Sequence, residues 1–352
     1  MVLKQEQEDA SDEVLEVAHG VLRLQLPIDF TGLGHVNCYA LEDDRGFALV
    51  DPGMPGPISW DALRRKLDLA AIPLRRVHTV VVTHSHPDHF GAAERLARET
   101  GAEVVTHERF RTFFDPDDID DRELEVDTAE ADADPELTAF LRRLDTLARS
   151  PWGGETLGPP PERLAELRTN AAIALEWMRP PRPTTRLADL DHLRIGGRDW
   201  VALYTPGHTD DHLCLFDEEH GVLLSGDQVL PTITPHVTGM VEDSVQRYVD
   251  SLDRLVSLGR VTVTLPAHGH PIPDLAGRVE ELHVHHDERL RELRKHGEEL
   301  GWATVTELSR KLFKPRSWGG MAEDETYAHL EHLRRHGEAQ VREEAGVMFY
   351  KL

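Results

Sequence analysis

The chain has 352 residues, of which 39% are hydrophobic, and a formal net charge of −25 at pH 7. This length is enough for one large domain or two smaller ones with a buried core, and the composition is that of a globular protein. The negative charge argues against non-specific binding to nucleic acid or anionic membranes, and no apolar run approaches the roughly 18 to 20 residues of a membrane span.

Residues 1–13 are acidic and carry no apolar stretch of signal-peptide length, so a disordered lead-in to a cytoplasmic protein is expected. From residue 14 to about residue 107, β-type runs alternate with turns and helices. The predicted strands are GVLRLQLP, VNCYALED, GFALVDPG, RVHTVVVTH and AEVVTHE, and the predicted helices are ISWDALRRKLDLA and HFGAAERLARETG.

Three histidines and an aspartate lie within six positions where the strand RVHTVVVTH ends, in the order His84, His86, Asp88 and His89. Residues two apart in an extended segment point the same way, so His84 and His86 can converge on one metal ion. The chain then turns at Pro87 into a helix, which presents Asp88 and His89 from another direction. Because zinc favours imidazole nitrogen and carboxylate oxygen, this loop is predicted to serve two neighbouring ions.

A helical insertion is predicted over about residues 110–183. Residues 115–136 hold twelve carboxylates against one arginine. This run is interpreted as a mobile acidic lip, or simply as a solvated surface. Two helical stretches follow it, PELTAFLRRLDTLARS and PERLAELRTNAAIALEWM.

Strand signals resume near residue 186, and three strands end in a further ligand-type residue. His208 follows in LYTPGHT, Asp227 in LLSGDQ and His268 in VTLPAHGH. Each residue alone suits an ordinary turn, but their common place after a strand adds them to the predicted metal site. The run HLCLFDEEHGVLLSGDQ is predicted to be a hairpin, and EDSVQRYVDSLDRLVSLG a helix. Strands and helices on both sides of the insertion predict a sandwich of two mixed sheets flanked by helices over residues 14–273.

The pattern changes after residue 273, where a long helix, a second helix pair and a terminal β-hairpin predict a winged-helix-like domain over residues 274–352. The two cysteines, Cys38 and Cys214, each lie in an apolar strand without a nearby partner. Both are predicted to be buried, reduced core thiols.

Together these motifs resemble the metallo-β-lactamase superfamily of binuclear metallohydrolases, over about residues 14–273 less the insertion. The resemblance implies an α/β fold of the αββα sandwich type and two divalent ions. Zinc suits the ligands first, although iron and manganese are compatible with them. The implied ligands of one ion are His84, His86 and His208, those of the second are Asp88, His89 and His268, and Asp227 bridges the two.

The resemblance extends to supporting residues. Asp51 in LVDPG resembles the family's first motif, in which an aspartate supports the metal loop from behind the ligands. His270 is a neighbour that competes with His268, but the family's pattern favours the first histidine after Pro-Ala. His236, nine residues after Asp227, is a candidate donor near the substrate, or else an ordinary loop histidine.

Two features narrow the branch. His86 stands where the diiron oxygen-reducing members carry a glutamate, and only about forty residues separate Asp227 from His268, too few for the large domain of β-CASP-type nucleic-acid-processing members. The chain is most similar to the cytoplasmic branch with hydroxyacylglutathione hydrolases and β-lactamase-like proteins that carry a C-terminal winged helix.

The implied chemistry is hydrolysis by a metal-held hydroxide, with Asp88 as the catalytic residue that orients it and moves its proton. The first hypothesis for the substrate is a small ester or thioester, either acylglutathione-like or attached to an acyl carrier. The alternative is a single-strand-specific endoribonuclease or phosphodiesterase, although the net charge disfavours RNA. The basic and aromatic residues available for RNA are Arg310, Lys311, Lys314, Arg316 and Trp318. A third hypothesis treats the wing as a DNA-binding or dimerising module, and a homodimer is compatible with it.

Overall fold

The computed structural model describes residues 4–30, 32–112, 141, 144, 150–154 and 161–352, and the account below is confined to them. The acidic run 115–136 lies outside the described residues, as does most of the first helical stretch of the insertion. The chain divides into two compact units. We call them the N-terminal unit (Met1–Thr112, Trp177–Pro235 and Asp250–Glu280) and the C-terminal unit (Phe113–Glu176, His236–Val249 and Glu281–Leu352). The domain boundaries given above stay predictions.

The first sheet of the N-terminal unit has seven strands in chain order. They are β1 (Val14–Ala18), β2 (Val21–Phe30), β3 (Leu33–Asp43), β4 (Gly46–Val50), β5 (Val77–Val81), β6 (Glu103–His107) and β7 (Thr185–Leu187). Strands β1 to β4 form an antiparallel meander, and β4 to β7 are parallel. The ligand-bearing loop follows the central parallel strand β5.

The second sheet has five strands in the order β12, β11, β10, β9, β8. Their bounds are β8 (His192–Ile195), β9 (Arg198–Tyr204), β10 (Leu213–Asp217), β11 (Val222–Gly226) and β12 (Val263–Pro266). Strands β10 and β11 are antiparallel, with Phe216 opposite Leu223, so the predicted hairpin is confirmed. Strands β11 and β12 are parallel, which places the residues that follow both of them at the same sheet edge.

The side chains of β3 show how the layers are built. Successive side chains of a strand point to opposite faces. Tyr39 and Leu41 pack in one core cluster with Trp200 of the second sheet. Cys38 and Ala40 belong to the other cluster, which includes residues of the helices. The predicted mixed α/β class is therefore confirmed, and both cysteines are buried and unpaired as predicted.

Three helices of this unit pack on the face of the first sheet that carries Cys38. They are α1 (Pro57–Leu69), α2 (Pro87–Phe90) and α3 (Ala93–Thr100). Trp60 and Leu63 of α1 and Leu96 of α3 are buried in that cluster. The single helix predicted by HFGAAERLARETG is divided at Gly91, where the backbone passes so close to Pro55 that a Cβ would lie 2.1 Å from its nitrogen. This close approach holds α2, with its ligands, against the loop that follows β4.

The expectation of a disordered lead-in is wrong for residues 4–13. Glu6 is fully buried, and its carboxylate accepts hydrogen bonds from the backbone N–H of Thr232 (2.6 Å) and of Ile233 (3.0 Å). The carbonyl of Glu8 accepts from His35 Nδ1 at 2.7 Å. Acidic side chains made this segment look solvated, but one of them satisfies backbone donors on a loop more than two hundred residues away.

The remaining helices and strands lie later in the chain or in the insertion. They are α4 (Pro161–Thr169), α5 (Ala171–Met178), α6 (Ser244–Ser257), α7 (Leu275–Leu300), α8 (Val305–Leu312), α9 (Gly320–Arg335), β13 (Ala303–Thr304), β14 (Gln340–Glu344) and β15 (Val347–Lys351). The helical stretch predicted over residues 161–178 is two helices, because Thr169 and Asn170 turn their side chains back to carbonyls one turn earlier.

The C-terminal unit has its own apolar core and a three-stranded sheet in the order β13, β15, β14. Leu293 of α7, Leu308 of α8, Leu330 and Leu333 of α9 and Tyr350 of β15 are buried together. The helices and the terminal hairpin lie where the sequence predicts them, and the winged-helix assignment stays a prediction. In the described part of the chain, no helix combines the length and apolar character that crossing a bilayer requires.

Candidate metal centre

Asp51, at the end of β4, organises the loop that follows β5. Its backbone has a positive φ of 54°, an uncommon conformation for a residue with a side chain. Its carboxylate accepts hydrogen bonds from the backbone N–H of Thr83 (2.9 Å), from the Thr83 hydroxyl (2.8 Å) and from His89 Nδ1 (2.9 Å). One buried carboxylate thus fixes both ends of the segment that carries the predicted ligands.

We call His84, His86, His208 and Asp227 the first ligand group. Each offers a ligand atom, and these atoms lie within 4.8 Å of one another. His84 Nε2 and His208 Nε2 lie 2.9 Å and 3.1 Å from His86 Nδ1, and His208 Nε2 lies 3.6 Å from Asp227 Oδ2. Two ligands on one zinc ion, each about 2.0 to 2.1 Å from it, are about 3.3 Å apart in a tetrahedron. The spacing therefore suits a single ion.

We call Asp88, His89 and His268 the second ligand group, and its ligand atoms meet the same 4.8 Å limit. His268 Nε2 is 3.4 Å from Asp88 Oδ2 and 3.2 Å from Asp227 Oδ1. His89 Nε2 is 3.6 Å from a carboxylate oxygen of each aspartate. Asp227 thus faces both groups, one oxygen towards His268 and the other towards His208 and His89.

The hydrogen bonds of the second group leave lone pairs directed at its centre. His89 gives its Nδ1 proton to Asp51, and His268 gives its Nδ1 proton to the carbonyl of His35 at 2.7 Å. In the neutral rings Nε2 is therefore an acceptor. Both Nε2 atoms and Asp227 Oδ1 are buried without a hydrogen-bond partner. Buried polar atoms are rarely left unsatisfied, so these residues fit a bound cation.

Electrostatics differ between the two groups. Burial, reinforced by the neighbouring imidazoles, lowers the pKa of His84 well below its usual value and that of His86 to about 3. These rings are neutral at physiological pH, and neutral imidazole is the form that binds a metal. Burial also disfavours charge on His268, but Asp227 and Asp88 outweigh it and raise its pKa to about 10. The same balance raises the pKa of His89 through Asp88 and Asp51.

The carboxyl groups of Asp88 and Asp227 are both ionised. Burial opposes their charge, yet His89 and His268 lower the pKa of Asp88, and the same two histidines lower that of Asp227 well below its usual value. A buried pair of carboxylates among five histidines needs positive charge to be stable. Either protons on His89 and His268 or divalent cations supply it.

Comparison with known proteins places this arrangement in a family. The family model described as the Metallo-beta-lactamase superfamily matches residues 31–268. The chain belongs to the metallo-β-lactamase superfamily. The matched range contains every residue of the two ligand groups, and the predicted family is confirmed.

Relatives in the superfamily differ in how much of the chain they share. The Lactamase-like protein nscB of Arthroderma benhamiae is 34% identical over 143 residues, which are 40% of this chain and 30% of that protein. The chain thus spans less than a third of that relative's length. The Probable metallo-hydrolase YqjP of Bacillus subtilis is 26% identical over 301 residues, 83% of this chain and 85% of that protein.

A solved structure supports the whole fold. The crystal structure of a metallo-beta-lactamase family protein from Thermus thermophilus covers 96% of this chain and 100% of its own, with a TM-score of 0.73 and 29% identity. Membership in the metallo-β-lactamase superfamily, with a relative named as a probable metallo-hydrolase, is consistent with the predicted metal-dependent hydrolase. The hydroxyacylglutathione hydrolase-like branch stays a prediction.

Within this superfamily site, His212 is a supporting residue that sequence reasoning missed. It is buried, its Nε2 accepts a hydrogen bond from the backbone N–H of Asp227 at 3.1 Å, and its Nδ1 lies 2.8 Å from the Thr205 hydroxyl. Burial and the neighbouring His208 lower the pKa of His212, so the ring is neutral. Gly226 has a positive φ of 50°, and a Cβ there would lie 2.6 Å from His212 Nε2. Glycine therefore permits the contact that positions Asp227.

Asp211 is a second residue that the sequence did not single out. The hydroxyl of Ser85, between His84 and His86, donates to Asp211 Oδ1 at 3.2 Å. Asp211 Oδ2 is buried without a hydrogen-bond partner. Burial raises the pKa of Asp211 to about 7, against the opposing effect of the hydrogen bond from Ser85. The only sequence signal was the run of polar residues in GHTDDH.

The remaining candidates lie elsewhere. His270 Nε2 bonds Glu8 at 2.9 Å, and His268, not His270, joins the second ligand group. His236 belongs to the C-terminal unit, where its Nε2 lies 2.8 Å from Asp324 Oδ2. Its role near a substrate stays a prediction.

Proposed function

We propose that the chain is a binuclear metal-dependent hydrolase that acts on a small ester or thioester, either acylglutathione-like or attached to an acyl carrier. The observation that carries the proposal is the shared carboxylate of Asp227, which faces both ligand groups. A single metal in the first ligand group would leave the second group, with the buried and unpartnered Nε2 atoms of His89 and His268, unsatisfied.

In this proposal His84, His86 and His208 would hold one divalent ion, Asp88, His89 and His268 would hold the second, and Asp227 would serve both. Zinc suits these ligands first, with iron and manganese as alternatives. When bound, two divalent ions would supply Lewis acidity and would lower the pKa of water in the site towards neutrality.

The chain's own contribution is positioning and proton transfer. Asp88 is ionised and lies beside the centre, so it can orient the attacking water and take its proton. The two histidines beside Asp88, His268 and His89, each donate a hydrogen bond from Nδ1, and these bonds fix the orientation of both rings. The leaving thiol or alcohol then takes the proton from Asp88.

A small substrate agrees with the charge of the chain. A formal charge of −25 repels a polyanion at distances beyond the site itself, whereas the approach of a neutral or singly charged ester is little affected. We further propose that the protein is cytoplasmic and that its C-terminal domain is a winged helix.

RNA is the second candidate, favoured by one surface of the C-terminal unit. Arg310, Lys311, Lys314 and Arg316 lie close together in the sequence, at the end of α8 and just after it. Among them, the Arg310 guanidinium lies 5.3 Å from the ring centre of Trp318, which is itself 46% exposed. Exposed aromatic and basic side chains are the groups on which unpaired bases stack.

The test measures metals per chain, then turnover of a panel of small esters and thioesters with and without chelator. Two metals with chelator-sensitive turnover are expected. The Asp88→Asn substitution should lower kcat by roughly 10²- to 10⁴-fold. Asp199→Asn is the matched control, because Asp199 is an exposed carboxylate paired with His192.

Three results would contradict the proposal. Fewer than two metals at saturation would exclude a binuclear centre. Wild-type turnover by Asp88→Asn with both metals bound would remove the role given to Asp88. Two metals without turnover of any ester, together with salt-dependent cleavage of single-stranded RNA, would favour the second candidate.

A further inference from the structure

A third group of metal-ligating side chains lies in the C-terminal unit. It consists of Asp243, His332 and His336, whose ligand atoms all lie within 4.8 Å of one another. Asp243 directly precedes α6, and the two histidines stand one turn apart at the end of α9. None of the three belongs to the ligand groups described above.

Distances in this third group resemble those in the first ligand group. Asp243 Oδ1 is 2.8 Å from His332 Nδ1, and Asp243 Oδ2 is 4.0 Å from His336 Nδ1. Ligands on one tetrahedral zinc ion are about 3.3 Å apart, between these two values. The 2.8 Å contact is a hydrogen bond between His332 Nδ1 and Asp243 Oδ1, and a bound ion would take the place of its proton.

The two histidine rings lie side by side at the end of α9. His336 Nδ1 also lies 2.8 Å from the carbonyl of His332, a hydrogen bond that an ion bound at Nδ1 would replace. The two ring centres are 4.2 Å apart. Residues four apart on a helix share a face, so both rings approach the carboxylate from the same side.

Asp243 itself has an unusual backbone. Its φ is 44°, in the left-handed region that residues with side chains adopt rarely and at a cost of about 1 kcal/mol or more. The conformation turns its carboxylate to the histidines while Oδ1 also faces the backbone N–H of Gln246 at 3.4 Å. A strained backbone that aims a carboxylate at two imidazoles is a feature of binding sites.

We propose that Asp243, His332 and His336 bind one divalent cation of the zinc class, with water completing the coordination. Two imidazoles and one carboxylate suit zinc, cobalt or nickel, whereas calcium and magnesium prefer oxygen ligands alone. The side chain of His336 is 45% exposed and that of His332 is 12% exposed, so the ion would sit at the surface with room for water. Such an ion would fasten the segment before α6 to the end of α9.

The test adds Zn²⁺ to the full-length protein whose two principal ligand groups are already saturated, and follows binding by calorimetry. We expect one further saturable Zn²⁺ per chain. His336→Ala should abolish it, and Asp243→Asn should weaken it, because asparagine keeps the backbone conformation and the cap but removes the charge. Hydrolytic turnover should be unchanged in both variants.

The matched control is His192→Ala. His192 is an exposed histidine paired with one carboxylate, Asp199, at 2.8 Å. The further Zn²⁺ should remain in this control variant. Its loss there would show dispersed surface binding and would overturn the proposal.

Two other outcomes would also overturn it. One is wild-type protein that takes up no further saturable Zn²⁺. The other is a further Zn²⁺ that persists in both His336→Ala and Asp243→Asn, because its ligands would then lie elsewhere. A second measurement separates binding from folding defects: added Zn²⁺ should slow amide exchange at residues 332–336 in the wild type and not in His336→Ala.

Discussion

At the scale of single residues, the candidate metal centre depends on polar groups that lie behind the predicted ligands. Asp51 fixes Thr83 and His89, the carbonyl of His35 fixes His268, and His212 fixes the backbone of Asp227. The partners of His89 and His268 determine which ring nitrogen faces the centre, and His212 determines the position of the Asp227 backbone. Such partners commonly change metal affinity by about 10- to 100-fold when they are removed.

We therefore expect His212→Ala to weaken metal binding by about 10- to 100-fold, since Asp227 loses the acceptor of its N–H. The measurement is competition with a chelator of known affinity. His220→Ala is the matched control, because His220 lies beyond the other end of β10 and bonds Asp217. Equal metal affinity in His212→Ala and the wild type would contradict the role given to His212, even if the variant were less stable.

The raised pKa of His268 predicts that metal binding releases protons. Because this pKa is about 10 in the metal-free protein, the ring carries a proton at pH 8. A cation at Nε2 must displace that proton, so binding should release at least one proton per chain and weaken as the pH falls. Calorimetry at pH 8 in two buffers of different ionisation enthalpy counts the protons. A binding heat that is independent of the buffer would contradict this.

At the scale of elements, α8 depends on its first turn. The Thr304 hydroxyl accepts from the backbone N–H of Glu307 at 3.1 Å, and the Glu307 carboxylate accepts from the backbone N–H of Thr304 at 2.8 Å. This reciprocal pair satisfies two donors that the helix cannot pair internally.

Thr304→Ala should destabilise α8 by about 1 kcal/mol, through loss of the cap. Amide exchange within residues 305–312 measures the change locally, which avoids assuming that two units unfold together. Thr306→Ala is the control, because alanine has the higher helix propensity and Thr306 is not the capping residue. Faster exchange in both variants would mean that the cap is not the cause.

Elements and ligands were predictable where the signal was local. The four ligand-type residues from His84 to His89 lie within six consecutive positions, and those after β9, β11 and β12 lie at strand ends, so spacing and position were enough to single them out. The order of residues 4–13 was not predictable, because Glu6 bonds Thr232, 226 residues further on. The partnership of Asp243 with His332, 89 residues apart, is equally invisible in the sequence.

At the scale of the whole molecule, bound metals should stabilise the N-terminal unit, which contains both principal ligand groups. A ligand present at 100 times its dissociation constant adds about 2.7 kcal/mol to the free energy of unfolding. Chelation should therefore lower the unfolding temperature of this unit. The measurement is hydrogen exchange of the backbone amides in β5 and β11. No change in these amides on chelation would contradict metal binding at the centre.

The residues of the two ligand groups follow strands of both sheets. His84 lies 124 residues before His208 in the sequence, and the carbonyl that orients His268 lies 233 residues before it. During synthesis the loop after β5 leaves the ribosome long before β9, β11 and β12 exist. Contacts of such separation form late and slowly, because the intervening chain must first be ordered. A nascent chain shorter than residue 268 therefore lacks part of the candidate centre, so we expect full metal binding only after the two sheets have joined.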